Sequence, residues 1–433
     1  MNRWLKRVRV RLNDRLRYAK LLQWGMGMLC VLRARGSRSL ARRLDQFAQA
    51  YRHLAPLNRD GAVREALAPY VVDADRVRVW RDEKIGWRDK TPAIDTFEIS
   101  KGLILKPFVS PDEKGVILIS FEYNWLPLLT LSRASALFDR YMLICAPSWS
   151  PPPFPSIWGM AGVPNGDVFV MQSNFAEKQW YDRLPTNVEV LPLLISHWIH
   201  PGFYQPRDHA ERDIDILMVA NWATFKRQWV LFDALKALPA SYRIVLVGQP
   251  DSGRTLRDVE AEAEAFGVRE RIEFRERLSI SEVTDLQCRS KVSLMLSRRE
   301  GSCVVVAESM FADAPVGLLE GAHIGSSAFI NSKTGVFLNE ARLGEELRQF
   351  VEQSESFSAR DWAQGEISCF RSTEVLNRAL RDWSRERGRA WTRDVVPFMC
   401  RPNPAYTDEA TESLMISAYR DLTDCCGTTI SGF

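Results

Sequence analysis

The stretch Lys291–Leu319, KVSLMLSRREGSCVVVAESMFADAPVGLL, decides how the chain is read. KVSLML is an apolar run of strand length, and PVGLL is another. Between them, Val304–Val306 favour extended chain, but Ala307–Phe311 and the return to a second strand favour a helix from about residue 302. Gly301 permits a tight turn and a close approach of backbone to a ligand, and the first helical amides have no partner within the helix. Such a helix start suits an anion. Glu308 would lie two turns along, roughly 12 Å from a helix start at residue 300. By spacing alone, Glu300 and Glu308 read more readily as solvated side chains than as a site.

Outward from this step the same alternation continues in both directions, which is the signature of parallel sheets covered by helices. Downstream of residue 212 the expected strands are Ile214–Ala220, Tyr242–Val247, Arg271–Phe274, Lys291–Leu296, Pro315–Leu319 and Thr334–Leu338, with helices at Gln228–Leu238, Thr255–Phe266 and Ser281–Arg289. Upstream they are Val116–Phe121, Tyr141–Ala146, Asp167–Gln172 and Val188–Leu194, with Arg76–Trp80 and Leu103–Leu105 as extra or edge strands. Ser196–Arg212, with two prolines, a glycine and three histidines, reads as the connection. The expected division is a basic helical extension over 1–60, an α/β domain over 61–200, a second over 201–390, and a helix and tail over 391–433 that packs back on the first. Two such domains imply a cleft, because open parallel sheets bind ligands beyond the carboxyl ends of their strands.

Composition narrows the function less than charge placement does. Of 433 residues 46% are hydrophobic and 26% charged, which excludes a disordered or disulfide-framework chain. Residues 1–43 carry thirteen Lys/Arg against Asp14 alone, a local +12 within a net +4. A basic appendage of this kind is open to an anionic membrane surface or an acidic partner, and the acidic remainder argues against nucleic acid. Leu21–Leu32 is apolar but too short to cross a bilayer. Eight cysteines without C-x-x-C and five histidines without a ligand motif imply reduced thiols, no bound metal and a cytoplasmic setting, peripheral to the inner membrane face if the basic region docks there. Asp73-x-Asp75 and Asp213-x-Asp215 flank strands without further ligands.

EGSCVVVAESMFADAPV resembles the E-x7-E region of the retaining family 4 (group 1) glycosyltransferases of GT-B fold. ILMVANWATFKRQWVLFDAL, VLVGQPDSG, RIEFRERLSISEVTDL and GAHIGSSAFINSKTGVFL resemble, in order, the remaining segments of that family's nucleotide-sugar domain, so the resemblance runs over about 213–340. It implies two Rossmann-like domains facing across a cleft and transfer of a hexose-type sugar from a nucleotide diphosphate sugar to a hydroxyl acceptor, with retention and without a required metal or cofactor. It further implies that Lys226 neutralises the pyrophosphate, that Glu300 contacts the transferred sugar, and that Glu308 holds the ribose hydroxyls. Gly248, Gly301, Ser302, Cys303 and Val304 would complete the donor site. The family's usual arginine, five residues before the lysine, is replaced by Asn221, and Arg227, Arg298 and Arg299 are the cations at hand to substitute.

In the first half, Glu122, Asn124 and Trp149 follow strands and are the acceptor-side candidates, for a sugar, lipid-linked or polymer acceptor in polysaccharide or glycoconjugate synthesis. The competing readings are a nucleotide-sugar epimerase of the same fold and a non-catalytic assembly protein, for which Asn221 is the hint.

Overall fold

The computed structural model describes residues 3–72, 79, 83, 95–129, 131–148, 157, 160, 163, 165–182, 188–401 and 403–431. The chain forms two compact units that are not contiguous in sequence: Ala19–Trp198 with Ser372–Phe433, and Met1–Tyr18 with Ile199–Arg371. The basic extension is therefore divided. Helix α1 (Arg3–Tyr18) belongs to the second unit, while α2 (Lys20–Gly36), α3 (Leu40–Leu54) and α4 (Gly61–Val72) belong to the first.

In the first unit β1 (Phe97–Ile99) pairs in parallel with Thr428–Ile430. The main sheet runs β2 (Gly102–Lys106), β3 (Gly115–Ser120), β4 (Tyr141–Ala146), β5 (Val168–Gln172) and β6 (Val188–Leu194) in that spatial order. Only β2, at the edge, is antiparallel. Strands β3, β4 and β5 are buried at every position, which is why they read as unbroken apolar runs rather than as alternating patterns. Ser39 caps α3 by accepting the amide of Arg42, and α3 buries Leu44, Phe47, Tyr51 and Leu54 in the core of this unit.

His197, near the end of this unit's first segment, is buried, and burial pushes its imidazole down to about 4. Its Nδ1 lies 3.1 Å from the amide nitrogen of Leu194. The unfolded chain binds this proton at the ordinary histidine pKa of about 6.5, so the stability tied to the neutral ring is complete above that pH and lost as pH falls through about 4. The loss expected from this one group is up to about 3 kcal/mol. His197→Phe should unfold in urea with a visibly smaller drop in midpoint between pH 7 and pH 4 than the parent protein. Equal drops would show that the ring is not the titrating group.

The second unit holds six parallel strands: β7 (Ile214–Val219), β8 (Ile244–Gly248), β9 (Ile272–Glu276), β10 (Ser290–Met295), β11 (Val316–Leu319) and β12 (Gly335–Leu338). Their spatial order is β12-β11-β10-β7-β8-β9. The chain thus builds outward one way from β7 and the other way from β10, giving the doubly wound Rossmann-like order with its reversal between those two strands. Both α/β units and the helical amino-terminal region expected from sequence are present, and the strands of the two main sheets fall within two residues of their expected bounds, whereas the short strands Phe97–Ile99, Phe398–Cys400, Pro404–Tyr406 and Thr428–Ile430 are not among those expected. The expected strand Arg76–Trp80 and the pair Asp73-x-Asp75 lie outside the described residues, Val79 apart. The helix expected from about residue 302 begins at Val304, because Cys303 takes a left-handed conformation with φ 59° and turns the chain before the first helical residue.

Candidate functional site

Neighbouring strands β7 and β10 stand at the reversal of the second sheet. At such a reversal the loops that follow the two strands frame the crevice in which open α/β sheets generally take their ligands. The loop after β7 runs through Asn221 and Trp222 to a short 3-10 turn, Thr224–Lys226, before the helix Gln228–Ala234. The loop after β10 runs from Ser297 to Cys303 before the helix Val304–Phe311.

Lys226 and Glu300, 74 positions apart in the chain, meet in this crevice: Nζ lies 2.7 Å from Oε1, with the side chains 12% and 9% exposed. Ser297 Oγ donates to the same Oε1 at 2.6 Å, and the Glu300 amide donates to the His323 carbonyl at 2.9 Å, so the carboxylate is held from its own loop and from the segment after β11. Burial disfavours the Lys226 ammonium, the carboxylates of Glu300 and Asp251 favour it, and its pKa stands raised. Lys226 therefore stays protonated through the neutral range and acts as a cation, not as a base. The neighbouring Cys303 thiol is raised to about 12 by burial first and by Glu300 second, so it is no thiolate nucleophile at neutral pH.

Gly301 and Ser302 are buried, and their carbonyls accept the amides of Gly325 and Ser326, which pins the turn against the loop after β11. Val304 opens the helix and is half-buried, and Glu308 stands half-buried one turn further on. The Val306 amide already donates to the Cys303 carbonyl at 3.1 Å, and the earlier first-turn amides, of Val304 and Val305, with the positive dipole end suit an anion beside Lys226 and Glu300. Gly248, which ends β8, is required by space: a Cβ there would stand 2.4 Å from the Ala220 carbonyl oxygen and 2.8 Å from the Trp222 ring. Trp222 itself is buried and donates through Nε1 to Glu276 at 2.8 Å.

Asn221 shapes its own loop. Its Nδ2 donates to Asp251, its Oδ1 accepts the Ala223 amide at 3.3 Å, and its carbonyl accepts Gln228 Nε2 at 2.8 Å. Arg227 departs from the expectation that it serves the donor. It is fully buried with φ 59°, donating to both carboxylate oxygens of Asp14 at 2.9 Å, to the Leu296 carbonyl at 3.2 Å and to Glu340 at 2.7 Å. Arg298, on the surface, donates to the other oxygen of Glu340 at 3.0 Å. The Asp14–Arg227–Glu340 cluster fixes the residue next to Lys226 to helix α1 on one side and to the end of β10 on the other. Sequence reading missed Asp14 because it lies 213 positions from its partner and sits in a run otherwise read for its positive charge.

In the first unit, Glu122 accepts the amide of Ser148 at 2.9 Å and its hydroxyl at 2.8 Å, tying together the loops after β3 and β4. Asn124 is corrected as an acceptor candidate: it is buried, its Nδ2 donates to the Ser120 carbonyl at 2.7 Å, and its Oδ1 accepts the Ser100 amide at 3.3 Å. Trp149 lies outside the described residues. Asp213 is spent on Arg243 and Arg289, and Asp215 on Lys291 and the Arg243 amide. Among the described residues, no group of three or more acidic, histidine or cysteine side chains is arranged to hold a metal.

Residues 204–363 match the family model of glycosyl transferases group 1. The matched stretch contains all six strands of the second sheet and both loops of the crevice. Among solved structures, similarity extends to HepE of Anabaena in complex with UDP, at 14% identity and TM-score 0.49 over 63% of this chain and 79% of that one. It extends also to sucrose-phosphate synthase of Thermosynechococcus elongatus, at 13% identity and TM-score 0.49 over 73% and 79%. For TarM the values are 11% and 0.48 over 61% of this chain, which spans about half of that one, 54%. No curated protein matches the sequence.

Proposed function

We propose that the protein transfers a sugar, of hexose type, from a nucleotide diphosphate sugar to a hydroxyl acceptor, with retention at the anomeric carbon, in polysaccharide or glycoconjugate synthesis. The observation that carries the reading is the Lys226–Glu300 pair at the sheet's reversal, beside the start of the helix Val304–Phe311. The family match over 204–363 supports it. In the reaction the bond between the anomeric carbon and the diphosphate oxygen breaks and a bond to the acceptor oxygen forms, the acceptor's proton passing to the departing diphosphate. Lys226 and the helix-start amides stabilise the charge that builds on the departing diphosphate. Glu300, held by Ser297, positions the sugar, and Glu308 takes the ribose hydroxyls. The chain's own cation and dipole do the charge stabilisation that a divalent cation supplies in other transferases. The acceptor, a sugar or a lipid-linked or polymeric one, would be met by the first unit, where Glu122 is the remaining described candidate.

Thermal shift against UDP, GDP and ADP and their common sugar conjugates tests the reading. One nucleoside diphosphate should raise the unfolding midpoint by several degrees, and its sugar conjugate should release nucleotide faster when an acceptor is added. Stabilisation by none of them would sink the proposal. Binding without turnover would point to an assembly role, and an altered sugar released without acceptor would point to an epimerase.

A further inference from the structure

The +12 charge of residues 1–43 by itself leaves lipid and an acidic partner open, but the fold adds a second property to it. Helix α1 has two faces. The inner one carries Asp14, buried against Arg227, and Arg11, which pairs with Asp233 at 2.6 Å. On the other, Trp4, Val8, Leu12 and Leu16 recur every fourth residue with Leu5 beside them, and all five are exposed, Trp4 by 59% and Leu12 by 52%. Steps of four advance only about 40° around a helix, so these side chains form one strip. Within the same 16 residues stand seven Lys/Arg and one acid.

We propose that α1 lies in the plane of an anionic lipid bilayer, its Trp4–Leu16 strip dipped to the acyl boundary and its arginines among the headgroups. The inference goes beyond the sugar-transfer reading and does not depend on it. A highly charged helix of this length, about 24 Å, cannot cross a bilayer, and among the described residues no helix is long and apolar enough to do so. An amphipathic helix with a cationic rim is instead suited to the interface, where apolar burial and attraction to anionic lipid add together and long basic side chains extend toward the headgroups. A nucleic acid would use the charge and leave the apolar strip in water. A second copy docking through the same strip would set seven cations against seven. Helix α2, taken by itself, shows a comparable surface: Leu21 and Leu32 are 76% and 63% exposed, with Trp24 and Leu29 also in solvent and Arg33 and Arg35 in its last turn.

The test is flotation of the full-length protein with vesicles of phosphatidylcholine containing a third phosphatidylglycerol and with vesicles of phosphatidylcholine alone. Recovery should be at least tenfold higher on the anionic vesicles, and Trp4→Glu/Leu12→Glu should lower that recovery at least tenfold. Because both side chains are exposed, the unfolding midpoint should not move. Leu16→Glu provides a single change on the same strip in case the double variant is impaired in folding. No recovery of the parent protein on anionic vesicles, or undiminished recovery of the strip variants, would overturn the proposal. So would a parent protein that sediments as a dimer, becomes monomeric in the variants and binds no vesicles.

Discussion

Lys226→Ala should lower turnover of the sugar nucleotide by about 10² to 10³-fold, the loss typical when one preorganised group facing developing charge is removed from a water-poor site. The ammonium has this weight because it is largely buried beside Glu300 and keeps its proton through neutral pH. Affinity for the free nucleoside diphosphate should fall as well, since in the proposed reaction the same cation would face the phosphates in both states. The variant should still fold, because Glu300 keeps the Ser297 hydroxyl at 2.6 Å, although one buried partner lost costs about 1–3 kcal/mol. Lys236→Ala is the control: Lys236 pairs with Asp233 on the surface and should leave turnover unchanged. Unchanged turnover in Lys226→Ala, measured per folded molecule, would remove the mechanism.

Asp14→Ala should give the largest loss of stability of any single change considered, about 3–5 kcal/mol, because it strips a buried guanidinium of its bidentate partner. Arg227 would keep the Leu296 carbonyl and Glu340, but Glu340 is partly exposed and shared with Arg298. Urea unfolding measures the loss. Replacing the charged pair together, as Asp14→Leu/Arg227→Met, should recover a good part of it, since removing both members leaves no orphaned charge. If Asp14→Ala unfolds at the parent midpoint, the cluster does not hold the loop before the helix Gln228–Ala234 in place.

What could be read from the sequence was local. Strands β3, β4 and β6 were legible because short apolar runs bounded by turn residues leave few other structures for the chain to adopt. The Glu300 loop was legible because a strand, a glycine turn and a helix follow one another within a few residues. The pairing of Lys226 with Glu300 needed one further step, the reversal of strand order that sets β7 beside β10. Long-range polar pairing was not legible. Arg227 beside Lys226 and Asn124 after a strand both looked available to a ligand, and each is consumed by partners that only the folded chain supplies: Asp14 for one, and Ser100 with the Ser120 carbonyl for the other. A polar residue at a strand end advertises reach, but its unused capacity depends on what the rest of the chain brings to it. The helix Val304–Phe311 shows a smaller limit of the same kind, since a left-handed residue at Cys303 delays its start and no periodicity marks that conformation.

The passage of α1 into the second unit bears on how that unit can be dissected. A fragment cut as residues 199–371 would contain every strand of the second sheet and yet leave the Arg227 guanidinium without Asp14. A fragment that begins at Gln228 would drop the arginine together with Lys226. The smallest autonomous piece must therefore carry the helix from the far end of the chain, fused through a new linker or added as a separate peptide, and complementation by that peptide would then report directly on the Asp14–Arg227 bond.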